Sequence, residues 1–209
     1  RQSSNNKVSK EKNSVTKIPI FQDSIILDQL NNKELDKKIL EILKKEMQSN
    51  SGVTISNEGG YQTNSVYDKT ICDTIFKKAV DLLLKNYNFK TANFELGNLW
   101  INHNKKEDFN SIHTHPCSHF SGVYYLQVQN DGGQLVFYRG DTSVHMAGIN
   151  AFLDNADTRG NYYVQPLSNQ IIIFPAHLLH MVHPHKNNKA RVSVSFNILL
   201  THLQNDNKN

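Results

Sequence analysis

Cysteine is scarce in this chain. Cys72 and Cys117 are the two present, too few for a disulfide framework, and no CxxC spacing exists to make a cysteine zinc site. That usage suits a reducing, cytoplasmic setting. There is no run of about 18 apolar residues, so no membrane-spanning helix is expected. Glycine and proline number 10 and 5 in 209 residues, which excludes a collagen-like sequence. No basic-then-apolar secretory leader is visible, although a start at Arg1 leaves room for a trimmed one.

A strong charge of one sign is also lacking. Lysine and arginine total 23 against 19 acidic residues, a net charge of +4. The lysines gather in the N-terminal tail and along two helix-like stretches, where a solvated face explains them. Aromatic residues are not interleaved with them, so nucleic-acid binding is not expected. Within the basic set arginine is rarer still: Arg1, Arg139, Arg159 and Arg191 are the only four.

What is present suffices for one domain with a real core. Residues 1–16 are polar, rich in Lys, Ser and Asn, and aperiodic, and residues 203–209 are similar. Both read as disordered tails around a single domain over 17–202. Lys17–Leu27 alternates and reads as an entering strand. Asn32–Met47 carries Leu35, Ile39, Ile42 and Leu43 at helical spacing, with Asn31 or Asn32 as N-cap. Asp68–Tyr87 repeats the pattern with Ile71, Ile75, Ala79, Leu82 and Leu83. Ser49–Ser65 between them reads as a loop turning at Gly59-Gly60.

From Phe89 the period becomes two. Strands are expected at Asn93–Asn102, Ser121–Gln129, Gln134–Tyr138, Asn161–Val164, Gln170–Phe174 and Arg191–Leu200. Helices followed by many short antiparallel strands imply a mainly β barrel or sandwich with the helices on one outer face.

Histidine is the conspicuous excess. Of the 10, seven fall in two windows: His113, His115 and His119, then His177, His180, His183 and His185. In an extended chain, residues two apart share a face, so His113 and His115 can reach one ion. A distant third histidine on a neighbouring strand would complete a facial three-nitrogen site with open positions, and imidazole alone does not select the metal. An isolated H-x-H is weak evidence. His119, His177, His183 and His185 read as supporting, surface or substrate-side residues rather than ligands, and His103, His145 and His202 as surface residues. Downstream, Arg191, Ser193, Ser195 and Asn197 share one strand face, with Val192, Val194, Phe196 and Ile198 on the other. If the polar face points inward, Arg191 is a buried cation that needs an anion, and a guanidinium is suited to gripping a carboxylate.

At these residues the chain resembles the 2-oxoglutarate/Fe(II)-dependent oxygenase superfamily. Within it, the likeness is to a bacterial and phage group related to the prolyl-hydroxylase-like branch. The runs that carry it are Ser56–Gln62, His113-Thr114-His115-Pro116, Ser121–Leu126, Gly132–Phe137, Phe174–His180 and Arg191–Asn197. The resemblance implies a double-stranded β-helix, the jelly roll of the cupins, with N-terminal helices packed on one sheet. It implies His113 and His180 as ligands of Fe(II). His115 stands where the superfamily motif has a carboxylate, so it either serves as the third ligand or stands aside, as in the halogenase variation. The resemblance further implies that Arg191 and Ser193 hold the distal carboxylate of 2-oxoglutarate, with Tyr125 bonding the same group and Asn102 near the other end. Tyr125 reads equally as a core aromatic, and Trp100 as core.

The expected activity is hydroxylation of a small molecule or peptide residue, consuming dioxygen and releasing succinate and CO2. Ser49–Ser65 and Asp141–Gly160 are long enough to serve as lids. The alternatives are a non-catalytic jelly-roll module that binds a metal or anion, and a three-histidine dioxygenase that needs no 2-oxoglutarate. An Asn- and Lys-rich composition suggests an AT-rich genome, phage or bacterial.

Overall fold

The computed structural model describes residues 23–90, 92–140 and 160–202. The expected tails at 1–16 and 203–209, the first part of the expected entering strand, His145, and most of the proposed lid at Asp141–Gly160 lie outside them.

Two helices form where the apolar spacing predicts them. Helix α1 spans Lys33–Ser49, and the side chain of its N-cap, Asn32, accepts a hydrogen bond from the Leu35 amide. Helix α2 spans Lys69–Asn86, with Asp68 capping the Ile71 amide in the same way. Each points its apolar stripe inward: Leu35, Ile39 and Leu43 on α1, and Ile71, Ile75, Ala79, Leu82 and Leu83 on α2. Burying one such side chain stabilises the fold by roughly 1.5–3 kcal/mol.

Among the described residues, eleven strands follow the chain in order: β1 Ile26–Gln29, β2 Asn57–Glu58, β3 Tyr61–Gln62, β4 Asn93–Asn104, β5 Phe109–His113, β6 Phe120–Gln127, β7 Leu135–Tyr138, β8 Asn161–Val164, β9 Gln170–Pro175, β10 Leu179–Val182 and β11 Arg191–Thr201. They make two sheets, ordered β1-β9-β6-β11-β4-β3 and β2-β5-β10-β7-β8, and every pairing is antiparallel. This is the jelly roll of the double-stranded β-helix.

The period-two pattern sorts the six-stranded sheet into two faces. Tyr124 and Leu126 of β6, Ile171 and Ile173 of β9, and Val192, Val194, Phe196 and Ile198 of β11 pack against the helices. Their neighbours Val123 and Tyr125 of β6, with Ile172 and Phe174 of β9, turn the other way and meet Leu135 and Phe137 of β7 from the second sheet. One core therefore lies under the helices and a second between the sheets. The polar face of β11 belongs to the interior side, so its alternation marks a cavity rather than a wet surface.

Three elements depart from the sequence reading. His113 is the last residue of β5, a strand absent from the expected set. That strand escapes a period-two search because its pairing with β10 is irregular: His113 lies opposite His180, but Asn110 lies opposite Val182. Strand β10 is only four residues long. The expected Ser49–Ser65 loop contains β2 and β3, which pair with β5 in one sheet and β4 in the other. It is thus tied to both sheets and is no free lid. The turn between β2 and β3 needs Gly59 and Gly60, which have φ of +70° and +53°.

Candidate metal and anion site

His113 and His180 face each other as direct partners across the β5–β10 ladder, with ring centroids 4.3 Å apart. Each ring is oriented in the same local way. Nδ1 of His113 lies 2.7 Å from the Ser111 carbonyl, and Nδ1 of His180 lies 2.7 Å from the Leu178 carbonyl. A carbonyl only accepts, so both Nδ1 atoms carry the proton and both Nε2 atoms keep the lone pair that a metal requires.

His115 lies in the turn after β5, where its backbone N–H donates to the Ala176 carbonyl. It joins the other two from this turn, not by strand alternation as the H-x-H spacing suggested. Its ring stacks on His180 at 5.1 Å and 12°, and the two Nε2 atoms are 3.3 Å apart. Two nitrogens each ~2.1 Å from one ion can be at most about 4.2 Å apart, so this pair fits a shared ion. One nitrogen from each of the three histidines lies within 4.8 Å of the others.

Burial keeps all three imidazoles neutral. It lowers the pKa of His113, and it pushes His115 down to about 4 and His180 to about 3, with the neighbouring His113 adding to both. Neutral imidazole is the ligand form. The donor set therefore fits Fe(II), and it lacks the anionic donor that a carboxylate would supply. Around it, Trp100 packs on His115 at 6.0 Å, and Phe174 meets His180 edge-on at 4.7 Å.

The three histidines occupy one end of a pocket between the sheets, and Arg191, Tyr125 and Ser193 line its other end. Pairing of β11 with β4 sets Ser195 opposite Trp100, Ser193 opposite Asn102 and Arg191 opposite Asn104. The interior face from Ser195 to Arg191 thus extends roughly 13 Å at ~3.3 Å per residue. Arg191 is 1% exposed. Its Nη1 donates to the Gly132 carbonyl at 2.6 Å, and among the described residues no carboxylate forms a salt bridge with it. Burial works against its charge, while Tyr125 and Asp108 support it. A buried guanidinium so placed is the arrangement that an anionic ligand completes.

Tyr125 is equally buried, and its acidity is suppressed by burial although Arg191 favours the phenolate. Asn102 donates from Nδ2 to Ser195 Oγ at 3.0 Å, leaving its buried Oδ1 without a partner. No Asp or Glu is among the described residues lining the pocket.

The pocket therefore brings together His113, His115, His180, Arg191, Ser193, Tyr125 and Asn102. It also contains groups the sequence reading left out. Trp100, taken for core, lines the histidine end; its place two residues before Asn102 on β4 was the available signal. Ser56 and Asn110 line the wall and bond to each other at 3.2 Å. Of the other histidines, one differs from expectation. His103 is half-buried, not a surface residue, and desolvation lowers its pKa. His185 is fully buried. His177 is exposed beside Asp23, and His119 Nδ1 accepts from the Leu200 amide.

Residues 98–197 match a family model described as "Putative 2OG-Fe(II) oxygenase". No curated protein is similar in sequence. Among solved structures, a prolyl-4-hydroxylase from Pseudomonas putida is 15% identical, with 84% of this chain and 92% of that one covered and a TM-score of 0.57. A viral collagen prolyl hydroxylase from Paramecium bursaria Chlorella virus-1, in complex with 2OG, is 14% identical, covering 83% and 94% with a TM-score of 0.54. HygX from Streptomyces hygroscopicus, with nickel and 2-oxoglutarate bound, is 9% identical, covering 84% and 82%, also at 0.54. At such identities the structural likeness is one of fold.

Proposed function

We propose that this chain, a 2-oxoglutarate- and Fe(II)-dependent oxygenase, is a hydroxylase in which His113, His115 and His180 hold the iron and Arg191 anchors 2-oxoglutarate. The observation that carries the reading is the pairing, in one pocket, of a neutral three-histidine cluster with a buried arginine that has no carboxylate partner among the described residues.

Bound Fe(II) supplies the redox chemistry with dioxygen, which amino-acid side chains lack. Overall, a substrate C–H, dioxygen and 2-oxoglutarate give a C–OH, succinate and CO2, with one oxygen atom entering each organic product. The chain's own residues bind and orient. Ser111 and Leu178 carbonyls fix the tautomers of His113 and His180 before any metal arrives. Arg191 grips the distal carboxylate, with the Tyr125 and Ser193 hydroxyls as further donors. That grip sets the keto-acid end of the molecule toward the histidines. Trp100, Phe174 and Phe137 exclude water from the histidine end, and in that low-dielectric setting the polar contacts gain strength. The organic substrate belongs to the small-molecule or peptide class.

Anaerobic addition of Fe(II) and 2-oxoglutarate is expected to give a visible metal-to-ligand charge-transfer band, and aerobic incubation should give slow succinate release. In Arg191→Ala the band should require at least ~30-fold more 2-oxoglutarate, the ~2–5 kcal/mol typical of breaking a buried charged contact, while iron binding persists. A metal-loaded protein with no band, or equal loss of iron and 2-oxoglutarate in Arg191→Ala, would overturn the reading.

A further inference from the structure

We propose that His185 is a positioning residue for 2-oxoglutarate binding: it sets the root of β11 so that the Arg191 guanidinium sits at the end of the pocket. This inference rests on the anchoring role proposed for Arg191.

Arg191 is the first residue of its strand. On one side its backbone is paired with Asn104 of β4. On the other, pairing with β6 starts only at Val192 and is irregular there. The strand ladder alone therefore leaves the root of a long side chain weakly fixed. Three turns supply what is missing, and they interlock behind Arg191.

The β10–β11 connection is held on one flank by the β4–β5 turn: the His185 amide donates to the Asp108 carbonyl at 3.0 Å, and the Glu107 amide donates to the His185 carbonyl at 2.6 Å. On the other flank it is held by the β6–β7 turn, where His183 N–H donates to Gln134 O and Lys186 N–H to Asp131 O. That same β6–β7 turn carries Gly132, whose carbonyl accepts from Arg191. Gly133 beside it has φ +81°, and a Cβ there would lie 2.2 Å from the His183 carbonyl and 2.7 Å from Arg191 Nη1.

The His185 ring closes the assembly from within. It is fully buried, and its Nε2–H donates to the Lys189 carbonyl at 2.5 Å, across its own connection and two residues before Arg191. Its other nitrogen, Nδ1, is buried without a partner. An apolar side chain of similar size would fill the space and leave no nitrogen unpaired. What the imidazole adds is the bond to Lys189, and through it a fixed backbone immediately before the arginine.

The test uses the full chain loaded with Ni(II), with metal and 2-oxoglutarate affinities measured separately by calorimetry and melting temperature as a folding control. Glutamine places an N–H near the position of imidazole Nε2, and leucine places none. His185→Leu is expected to weaken 2-oxoglutarate binding about tenfold or more, a size typical of outer groups that orient a binding residue, with metal affinity unchanged. His185→Gln should keep 2-oxoglutarate binding close to that of the unaltered chain. If the leucine variant does not fold, His185→Asn replaces it, since the shorter amide cannot reach the Lys189 carbonyl. Unchanged 2-oxoglutarate binding in the variant lacking the bond, parallel loss of metal and 2-oxoglutarate, or failure of glutamine to rescue would each overturn the assignment. Arg191→Ala separates the two levels. If it binds 2-oxoglutarate normally, the anchoring role itself fails. If it loses 2-oxoglutarate while His185→Leu does not, only the role of His185 fails.

Discussion

The two ends of the pocket are organised on different principles. At the histidine end, orientation is local: His113 and His180 each bond the carbonyl two residues earlier in the chain. At the arginine end, orientation is remote: Arg191 rests on Gly132, 59 residues away, within a set of three interlocked turns. The ends also belong to different sheets, β5 and β10 in one and β11, β6 and β4 in the other. The histidine end can thus be built from short peptide segments once the strands pair. The arginine end needs the β4–β5, β6–β7 and β10–β11 connections to meet.

This difference can be broken at each end separately. The largest effect is expected from His180→Ala, which removes the central donor and should abolish stoichiometric metal binding by a folded protein, measured by metal analysis after gel filtration. Retention of one metal per chain would mean the distal ligand is another residue. Gly133→Ala should come next. The strained φ and the contact with His183 should destabilise the fold by ~1–3 kcal/mol. The same shift should weaken 2-oxoglutarate binding while the metal isotherm stays in place. A Gly133→Ala protein with normal stability and normal 2-oxoglutarate affinity would show that the turn does not seat the arginine.

His115→Asp should act more mildly. His115 is the one ligand candidate whose Nδ1 is not held by a backbone carbonyl among the described residues, and aspartate restores an oxygen donor. Metal affinity is expected to change by no more than about tenfold, ~1.4 kcal/mol, as read by calorimetry. Complete loss would make His115 as demanding a position as His180. The smallest effect is expected far from both ends. Asp36 accepts a 2.6 Å hydrogen bond from Tyr124 beneath the helices, and burial raises its pKa. Asp36→Asn keeps an acceptor, so stability should move by less than ~1 kcal/mol with both isotherms unchanged. A shift in either isotherm would reveal coupling between the two cores.

The contrast also accounts for what could be read from the sequence. Helices α1 and α2 and the long strands β4, β6 and β11 follow from period and caps, because their patterns are local. The residues of the histidine cluster could be picked out because H-x-H and a later histidine stand out by type. The inward face of β11 was legible as a row of Arg, Ser and Ser, but its direction was not, since a wet face has the same alternation. Strands β5 and β10 were missed because neither alternates cleanly between buried and exposed residues, and β5 is irregularly paired as well. The contacts of His185 and Gly133 were not legible, because their partners come from turns far along the chain.

The short link between β2 and β3 has one further consequence. Asn57 and Glu58 pair with one sheet and Tyr61 and Gln62 with the other, so the two residues between them act as a fixed gauge between the sheets. The histidines are mounted on one jaw and the arginine on the other. The separation between the histidine and arginine ends of the pocket is therefore set partly by a turn that touches neither. Lengthening that turn by a residue would recalibrate the gap while leaving every group that lines it intact.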